Sequence, residues 1–233
     1  MKKFSLAVLL LCGCTRSSEP AVPPSLVGEA KRALAERERR LTSFKLVIDS
    51  TEGENHAHHE VAFRSPNKSR AHLTSPQDLE LAFDGTTLLR TRPGEKKFEV
   101  VSLDMPVADR AFFLASQFMP FVPEGYRAPL LPQTGVEAKR PSPETVELTV
   151  KPGEGVIVKW LLRLPSGDFL EKRTLADGQE RVLRMEREKC EPALALCVPT
   201  KMVERLGETT LGTTVVTSVE LNVALPQDTF SPK

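Results

Sequence analysis

The spacing of hydrophobic and polar residues changes several times along this chain. After Ser25, apolar residues recur at helical spacing between charged ones, which predicts an amphipathic helix over about residues 26–40 with Ser25 as its N-cap. From Phe44 the period becomes two, as expected for half-buried strands. The pair Asp84-Gly85, followed by a further apolar run, predicts a tight hairpin because glycine tolerates the positive φ that such turns need.

A segment from Leu103 to Pro123 interrupts the strand pattern. It contains many phenylalanines and few charges, and it is too irregular for a strand. We predict one or two short helices over about residues 104–119, entered at Pro106 and ended before Pro120. The Pro-rich passage from Tyr126 to Pro143 has little periodicity and is predicted to be a long surface connection.

A second series of strands follows this connection. Alternation places Val158, Trp160 and Leu162 on one face of a strand, and the run from Leu211 to Leu225 keeps a period of two. Together the two series predict ten or eleven strands joined mostly by short turns. This arrangement indicates a mainly β protein with a few helices (α+β), built as one antiparallel meander and not from βαβ units.

So large an antiparallel sheet usually curls, and two helical segments cannot cover both of its faces. We therefore expect a strongly curved sheet forming a half-open barrel, plugged by the N-terminal helix and by a central apolar helical lid. Because aromatic residues make up only 6% of the chain, the concave wall should be mainly aliphatic, with Trp160 its largest side chain. A hollow of this kind suits acyl chains, although the same residues could form a filled core. The predicted lining consists of Leu81, Phe83, Val158, Trp160, Leu162, Phe112, Phe113 and Phe118.

The start of the chain has the order of a secretory signal peptide. Lys2 and Lys3 precede a short apolar run that is too brief to span a bilayer. The sequence Leu11-Cys12-Gly13-Cys14 closes this run and resembles a bacterial lipobox, in which the final cysteine becomes the lipidated N-terminus. An ordinary cleaved signal peptide with incidental cysteines is the alternative.

Domain boundaries follow from this interpretation. Residues 1–13 are predicted to be a cleaved signal peptide, residues 14–24 a flexible tether that is lipidated at Cys14, and residues 25–233 a single domain. No later stretch approaches the roughly 20 apolar residues of a spanning helix, so lipid alone would attach the protein to a membrane. Thr15, and not Asp, follows the lipidated cysteine, which favours the outer membrane.

The net charge argues against some classes of partner, and the two remaining cysteines predict a disulfide. The chain has 32 basic and 31 acidic residues and a net charge of +1, which argues against nucleic acid as a partner and against a polybasic membrane patch. Cys190 and Cys197 form an even pair in an oxidising compartment, so we predict a disulfide between them. Two free buried thiols are the alternative.

The sequence offers little to support catalysis. It contains no Gly-x-Ser-x-Gly, His-Glu-x-x-His or Walker-type motif. His56, His58 and His59 cluster, but they are predicted to lie at a solvated hairpin tip; a metal site at His56 and His58 is the alternative. We therefore expect a protein that is not an enzyme, with no catalytic residues, no metal site and no cofactor.

The order of elements resembles the LolA/LolB-like lipoprotein-carrier superfamily over about residues 26–230. The resemblance depends on short stretches of sequence: Ser65-Pro66-Asn67-Lys68-Ser69-Arg70, Phe83-Asp84-Gly85-Thr86, Lys96-Lys97-Phe98 and Leu225-Pro226-Gln227-Asp228-Thr229-Phe230. It implies a half-open barrel with a helical lid that shields the acyl chains of a lipid or lipoprotein. It further implies a monomer in the bacterial cell envelope, at the membrane that receives the lipoprotein. A sensor or scaffold that binds a protein partner through the same fold is the alternative function.

Overall fold

The computed structural model describes residues 25–231, apart from four side chains in the second helix, at positions 107, 108, 111 and 112. The predicted signal peptide, Cys14 and the tether lie outside the described residues. The helices and strands follow the chain as α1 (Leu26–Arg40), β1 (Ser43–Glu52), β2 (Asn55–Arg64), β3 (Lys68–Ser75), β4 (Leu79–Phe83), β5 (Leu88–Thr91), β6 (Phe98–Val101), α2 (Val107–Phe118), β7 (Glu137–Ser142), β8 (Thr145–Gly153), β9 (Val156–Arg163), β10 (Phe169–Ala176), β11 (Gln179–Glu191), β12 (Leu196–Leu206) and β13 (Thr209–Leu221). Two short 3-10 helices, Pro192–Leu194 and Gln227–Phe230, complete the set.

All thirteen strands belong to one antiparallel sheet with the order β6-β5-β4-β3-β2-β1-β13-β12-β11-β10-β9-β8-β7. The first and last strands pair at the centre, so the chain meanders outward to one edge and later returns from the other. The sheet does not close, and the predicted half-open antiparallel barrel is confirmed. The strand count is higher than the ten or eleven predicted, and β7 is one of the strands that the sequence pattern did not reveal.

This topology explains why a helix lies across the hollow of the sheet. Strand β6 is one edge of the sheet and β7 is the other, yet they succeed each other along the chain. Residues 102–136, which include α2, must therefore cross from edge to edge. We call residues 119–136 the crossing segment.

Helix α1 begins and ends where the sequence predicts. The Ser25 side chain accepts a hydrogen bond from the backbone N–H of Gly28 at 3.1 Å, which caps the first turn. The helix buries Ala30, Ala33 and Leu34 against the half of the sheet formed by β7 to β10 and β12.

The apolar residues form two separate clusters, one in each half of the sheet. The first core lies under α2 and the crossing segment, and it contains Phe44, Leu46, Ile48, Val61, Phe63, Leu81, Phe83, Leu88, Phe118, Tyr126 and Val198 among others. The second core lies under α1, and it contains Ala30, Ala33, Leu34, Val146, Leu148, Val150, Trp160, Leu162, Leu164, Phe169 and Met202.

A buried ion pair fixes α1 to the second half of the sheet. Arg37 and Asp168 are each 2% exposed, with 3.4 Å between Arg37 Nε and Asp168 Oδ1. Arg37 Nη2 donates to the carbonyl of Cys197 at 3.0 Å, and Asp168 Oδ1 accepts from the N–H of the same residue at 3.0 Å. Burial lowers the pKa of Arg37, and Asp168 opposes that shift. Cys197 also forms the predicted disulfide with Cys190, which faces it across the β11–β12 pair.

The glycine before this aspartate lets the helix come close. Gly167 has a φ of +75°, and a Cβ built there would lie 2.9 Å from the carbonyl oxygen of Ala33 in α1. Any larger residue would push the helix away from the β9–β10 turn.

The prediction of a surface connection over residues 126–143 was wrong at both of its ends. Tyr126 is 2% exposed and belongs to the first core, and residues 137–142 form the edge strand β7. The hydrophobic pattern did not predict strand β7, because β7 has Lys139, Arg140 and Pro141 in place of an apolar alternation.

Candidate functional site

A cavity of about 740 Å³ lies between the first half of the sheet, α2 and the crossing segment. Its size is within the roughly 300–1,000 Å³ that ligand pockets usually have. Most of the wall is apolar, and its main side chains are Phe63, Phe83, Leu103, Leu114, Phe118 and Val122. The turns between β2 and β3 and between β4 and β5 close one side through Pro66, Asn67, Gly85 and Thr86.

The cavity exists because α2 does not approach the sheet as closely as α1 does. The backbone of α1 comes near β7 and β8, whereas α2 makes no comparable approach to any strand within the described residues. The side chains differ in size, because α1 places Ala30, Ala33 and Leu34 against the sheet. Helix α2 places Phe113, Leu114 and Phe118 there. Bulky side chains hold the helix away from the sheet and leave space beside them.

The crossing segment is pinned to the sheet at its centre. The Tyr126 hydroxyl donates to the carbonyl of Pro199 at 2.9 Å, and its ring lies edge-on to Phe44 with 5.5 Å between centroids. Burial raises the pKa of Tyr126, so the phenol stays protonated. At Gly125, with a φ of +88°, a Cβ would lie 2.8 Å from the Cβ of Phe169, so the backbone is in close contact with β10.

The cavity is also lined by charged side chains. Lys172 Nζ lies 2.5 Å from Glu124 Oε1, which joins β10 to the crossing segment. Arg110 and Glu38 also line the cavity. The guanidinium carbon of Arg127 lies 4.4 Å from the centre of the Phe63 ring, a cation–π arrangement.

The outer rim of the cavity carries exposed apolar side chains. Met119 and Leu130 are each 44% exposed and both line the cavity. Among the described residues they are two of three large hydrophobic side chains with such exposure; the third, Val100, lies on the edge strand β6.

The predicted lining residues are divided between three places. Phe83 and Phe118 line the cavity, while Leu81 and Phe113 belong to the packed part of the first core. Val158, Trp160 and Leu162 belong to the second core, where a void of only about 10 Å³ lies beside Trp160 and Leu162. Such a void has room for about one water molecule. The side chain of Phe112 lies outside the described residues.

Sequence reasoning missed the residues contributed by the crossing segment. Val122, Arg127 and Leu131 line the cavity, but they lie in or next to a passage without periodicity. The only available signal was topological, because a meander that ends at one edge and resumes at the other must cross the hollow.

The three histidines do not form a common site. His56 is exposed at the hairpin tip, and His58 Nδ1 lies 2.7 Å from Asp49 Oδ1. His59 points to the concave side, where its Nε2 lies 3.1 Å from Ser50 Oγ and its ring is edge-on to Phe121. Burial lowers the pKa of His59, His58 adds to that shift, and Asp49 opposes it. The prediction that these histidines lie at a solvated hairpin tip therefore holds for His56 and His58 but not for His59.

One group of possible metal ligands is present within residues 25–231, formed by Glu188, Cys190 and Cys197. The two sulfur atoms are bonded to each other, so neither is available as a thiolate ligand.

Neither helix of the described part has the length and apolar character that crossing a membrane requires. No protein-family profile and no curated protein matches the sequence. Solved structures do match. A LolA superfamily protein from Nitrosomonas europaea aligns with a TM-score of 0.52 at 13% identity, over 87% of this chain and 97% of that one.

Two further structures agree with this result. A domain described as an outer membrane lipoprotein-sorting protein from Vibrio parahaemolyticus aligns with a TM-score of 0.53 at 8% identity. A DUF1329 family protein from Desulfovibrio piger aligns with a TM-score of 0.50 at 11% identity. Each covers 87% of this chain and 97% of its own. The protein therefore has the LolA-like fold, as the sequence resemblance predicted.

Proposed function

We propose that this protein holds the acyl chains of a lipid or lipoprotein in the cavity under α2, without covalent chemistry. The observation that carries the proposal is the largely apolar hollow of about 740 Å³ next to an otherwise filled core. Burial of hydrocarbon against apolar walls contributes about 0.8 kcal/mol of binding free energy for each CH₂ group, without any specific polar contact.

The cell envelope is the proposed location. A disulfide between Cys190 and Cys197 persists in oxidising compartments, which agrees with a cleaved signal peptide over residues 1–13. Lipid on Cys14 would attach the protein, residues 14–24 would act as the tether, and the domain would work as a monomer on the periplasmic side of the outer membrane. More than one acyl chain on the cysteine would make this attachment stable.

Native mass spectrometry of the full-length protein, extracted gently from its own membrane, tests the proposal. We expect a bound lipid mass that disappears when the cavity is filled by Val122→Trp. The matched control is Val100→Trp, which adds the same ring on the exposed edge strand and should keep the lipid.

A second measurement uses ligands of graded length. Because each CH₂ contributes about 0.8 kcal/mol, shortening an added fatty acid by two carbons should weaken binding roughly 15-fold. A clean apo mass together with affinity that is independent of chain length would refute the proposal. A stable protein partner recovered by crosslinking, without lipid, would favour the sensor or scaffold function.

A further inference from the structure

Arg127 lines the cavity and makes no ion pair within the described part of the chain; burial lowers its pKa, and the charge of Glu38 opposes that shift. Its guanidinium lies over the Phe63 ring, and both residues line the cavity. Within residues 25–231 it forms no ion pair and no hydrogen bond, although Glu38 lines the same cavity.

The other basic residues of the cavity are already engaged. Lys172 Nζ is paired with Glu124 at 2.5 Å, and both side chains are largely buried. Arg110 Nε donates to the carbonyl of Met105 at 3.1 Å. Arg127 is therefore the cavity cation for which the described residues supply neither an ion pair nor a hydrogen bond.

The fold holds this guanidinium in place. The preceding residue, Tyr126, is pinned by its hydrogen bond to Pro199, and Gly125 is in close contact with Phe169. The cation–π contact with Phe63 favours one position of the guanidinium itself. Little conformational freedom remains to be lost when a ligand binds.

The N–H donors of Arg127 make no hydrogen bond within residues 25–231, so they remain available to a ligand. The fork that these donors form matches the two oxygens of a carboxylate or a phosphate. We infer that the cavity selects amphiphiles with an anionic headgroup, phosphate or carboxylate, and that Arg127 binds this headgroup while the apolar walls take the chain. The inference rests on the proposed function and names its ligand class.

Calorimetric titration of the full-length protein with lipids of one acyl chain length tests the inference. The probes are palmitoyl lysophosphatidylglycerol, palmitate, uncharged monopalmitoylglycerol and inorganic phosphate. Hydrogen bonds to charged groups predict that the two anionic lipids bind roughly ten- to a hundredfold more tightly than the uncharged one. Arg127→Gln should remove this preference, and Arg127→Lys should keep part of it.

Two controls keep the result interpretable. Arg92→Gln alters an arginine that is paired with Glu99 and does not line the cavity. It should change neither the affinity for the anionic lipids nor the affinity for the uncharged lipid. Binding of monopalmitoylglycerol to Arg127→Gln shows that the variant is folded.

Equal affinity for charged and uncharged lipids, or a preference that survives in Arg127→Gln, would overturn the inference and leave the proposed function standing. Inorganic phosphate that binds as tightly as the anionic lipids would overturn it too, since the site would then hold a free anion. If none of the lipids binds, the proposed function itself fails.

Discussion

The two halves of the sheet have the same architecture and different interiors. Each is an antiparallel meander with one helix across its concave face, α1 over the second core and α2 over the first. Within the described residues, the void beside α1 is about 10 Å³, whereas the space under α2 is about 740 Å³. In this half-barrel the helix with small buried side chains lies over a filled interior, and the helix with large ones lies over a hollow.

The two helices also differ in how firmly they are attached to the sheet, and the attachment is firmer for α1. A glycine contact at Ala33 and a buried ion pair at Arg37 hold α1 against the sheet. Helix α2 begins without a side-chain N-cap hydrogen bond among the described residues, and the chain beyond its C-terminus is fixed at Tyr126. We therefore expect the first half of the sheet to open more easily than the second half.

The largest expected effect tests the anchoring of α1. Asp168→Ala leaves Arg37 buried without its carboxylate, which should lower the free energy of unfolding by about 3–5 kcal/mol. Urea denaturation measures the loss. Glu36→Ala is the matched control because it removes the exposed partner of Arg39 on the same helix, and it should change the stability by less than about 1 kcal/mol. Similar losses in the two variants would show that the ion pair does not anchor the helix.

The next largest effect is expected from a pair of matched truncations, one in the second core and one in the cavity wall. Leu148→Ala in the second core should cost about 2–5 kcal/mol, because close packing prevents the site from collapsing. Leu114→Ala removes the same atoms from the cavity wall and should cost less than about 2 kcal/mol, since Leu114 is only partly buried. Thermal or urea unfolding of the two variants side by side provides the test. Equal losses would mean that the space under α2 is closed in solution.

The smallest expected effect concerns pH and the first half of the sheet. Burial holds the pKa of His59 below its unfolded value, so the unfolded state binds the proton more readily. Stability should be complete above the unfolded pKa of about 6.5 and should fall as the pH drops below it toward the folded pKa. Because His59 contacts Phe121 of the crossing segment, we expect this segment to loosen first.

Hydrogen exchange at about pH 7.5 and about pH 5.5 measures this change, within the range over which His titrates. His59→Gln should flatten the pH dependence of residues 119–126, whereas the exposed His56→Gln should not. An unchanged profile in His59→Gln would assign the pH dependence to other groups.

Much of the fold could be predicted from local pattern. The N-cap at Ser25, the start of α2 after Pro106 and the turn at Asp84-Gly85 each depend on residues near in sequence. The disulfide was predictable because Cys190 and Cys197 are the only cysteines after Cys14. Strand β7 was missed because an edge strand beside a helix does not need an apolar alternation.

The residues of the candidate site were much harder to predict from the sequence than the fold was. Trp160 and Phe83 have equally suitable side chains on equally regular strands, yet only Phe83 lines the cavity. Arg127 gave no signal at all, since a single arginine in a Pro-rich passage has no pattern around it.

The sequence by itself determined the antiparallel meander, its two helices and the choice of inward faces, because periodicity and turn residues act over a few positions. Only the tertiary structure decided where the space lies. A cavity is the difference between the volume that the surrounding elements enclose and the volume that their side chains fill, and both depend on residues far apart in the chain. The close approach of α1 and the distant position of α2 are properties of the assembled sheet, and no segment read alone contains them.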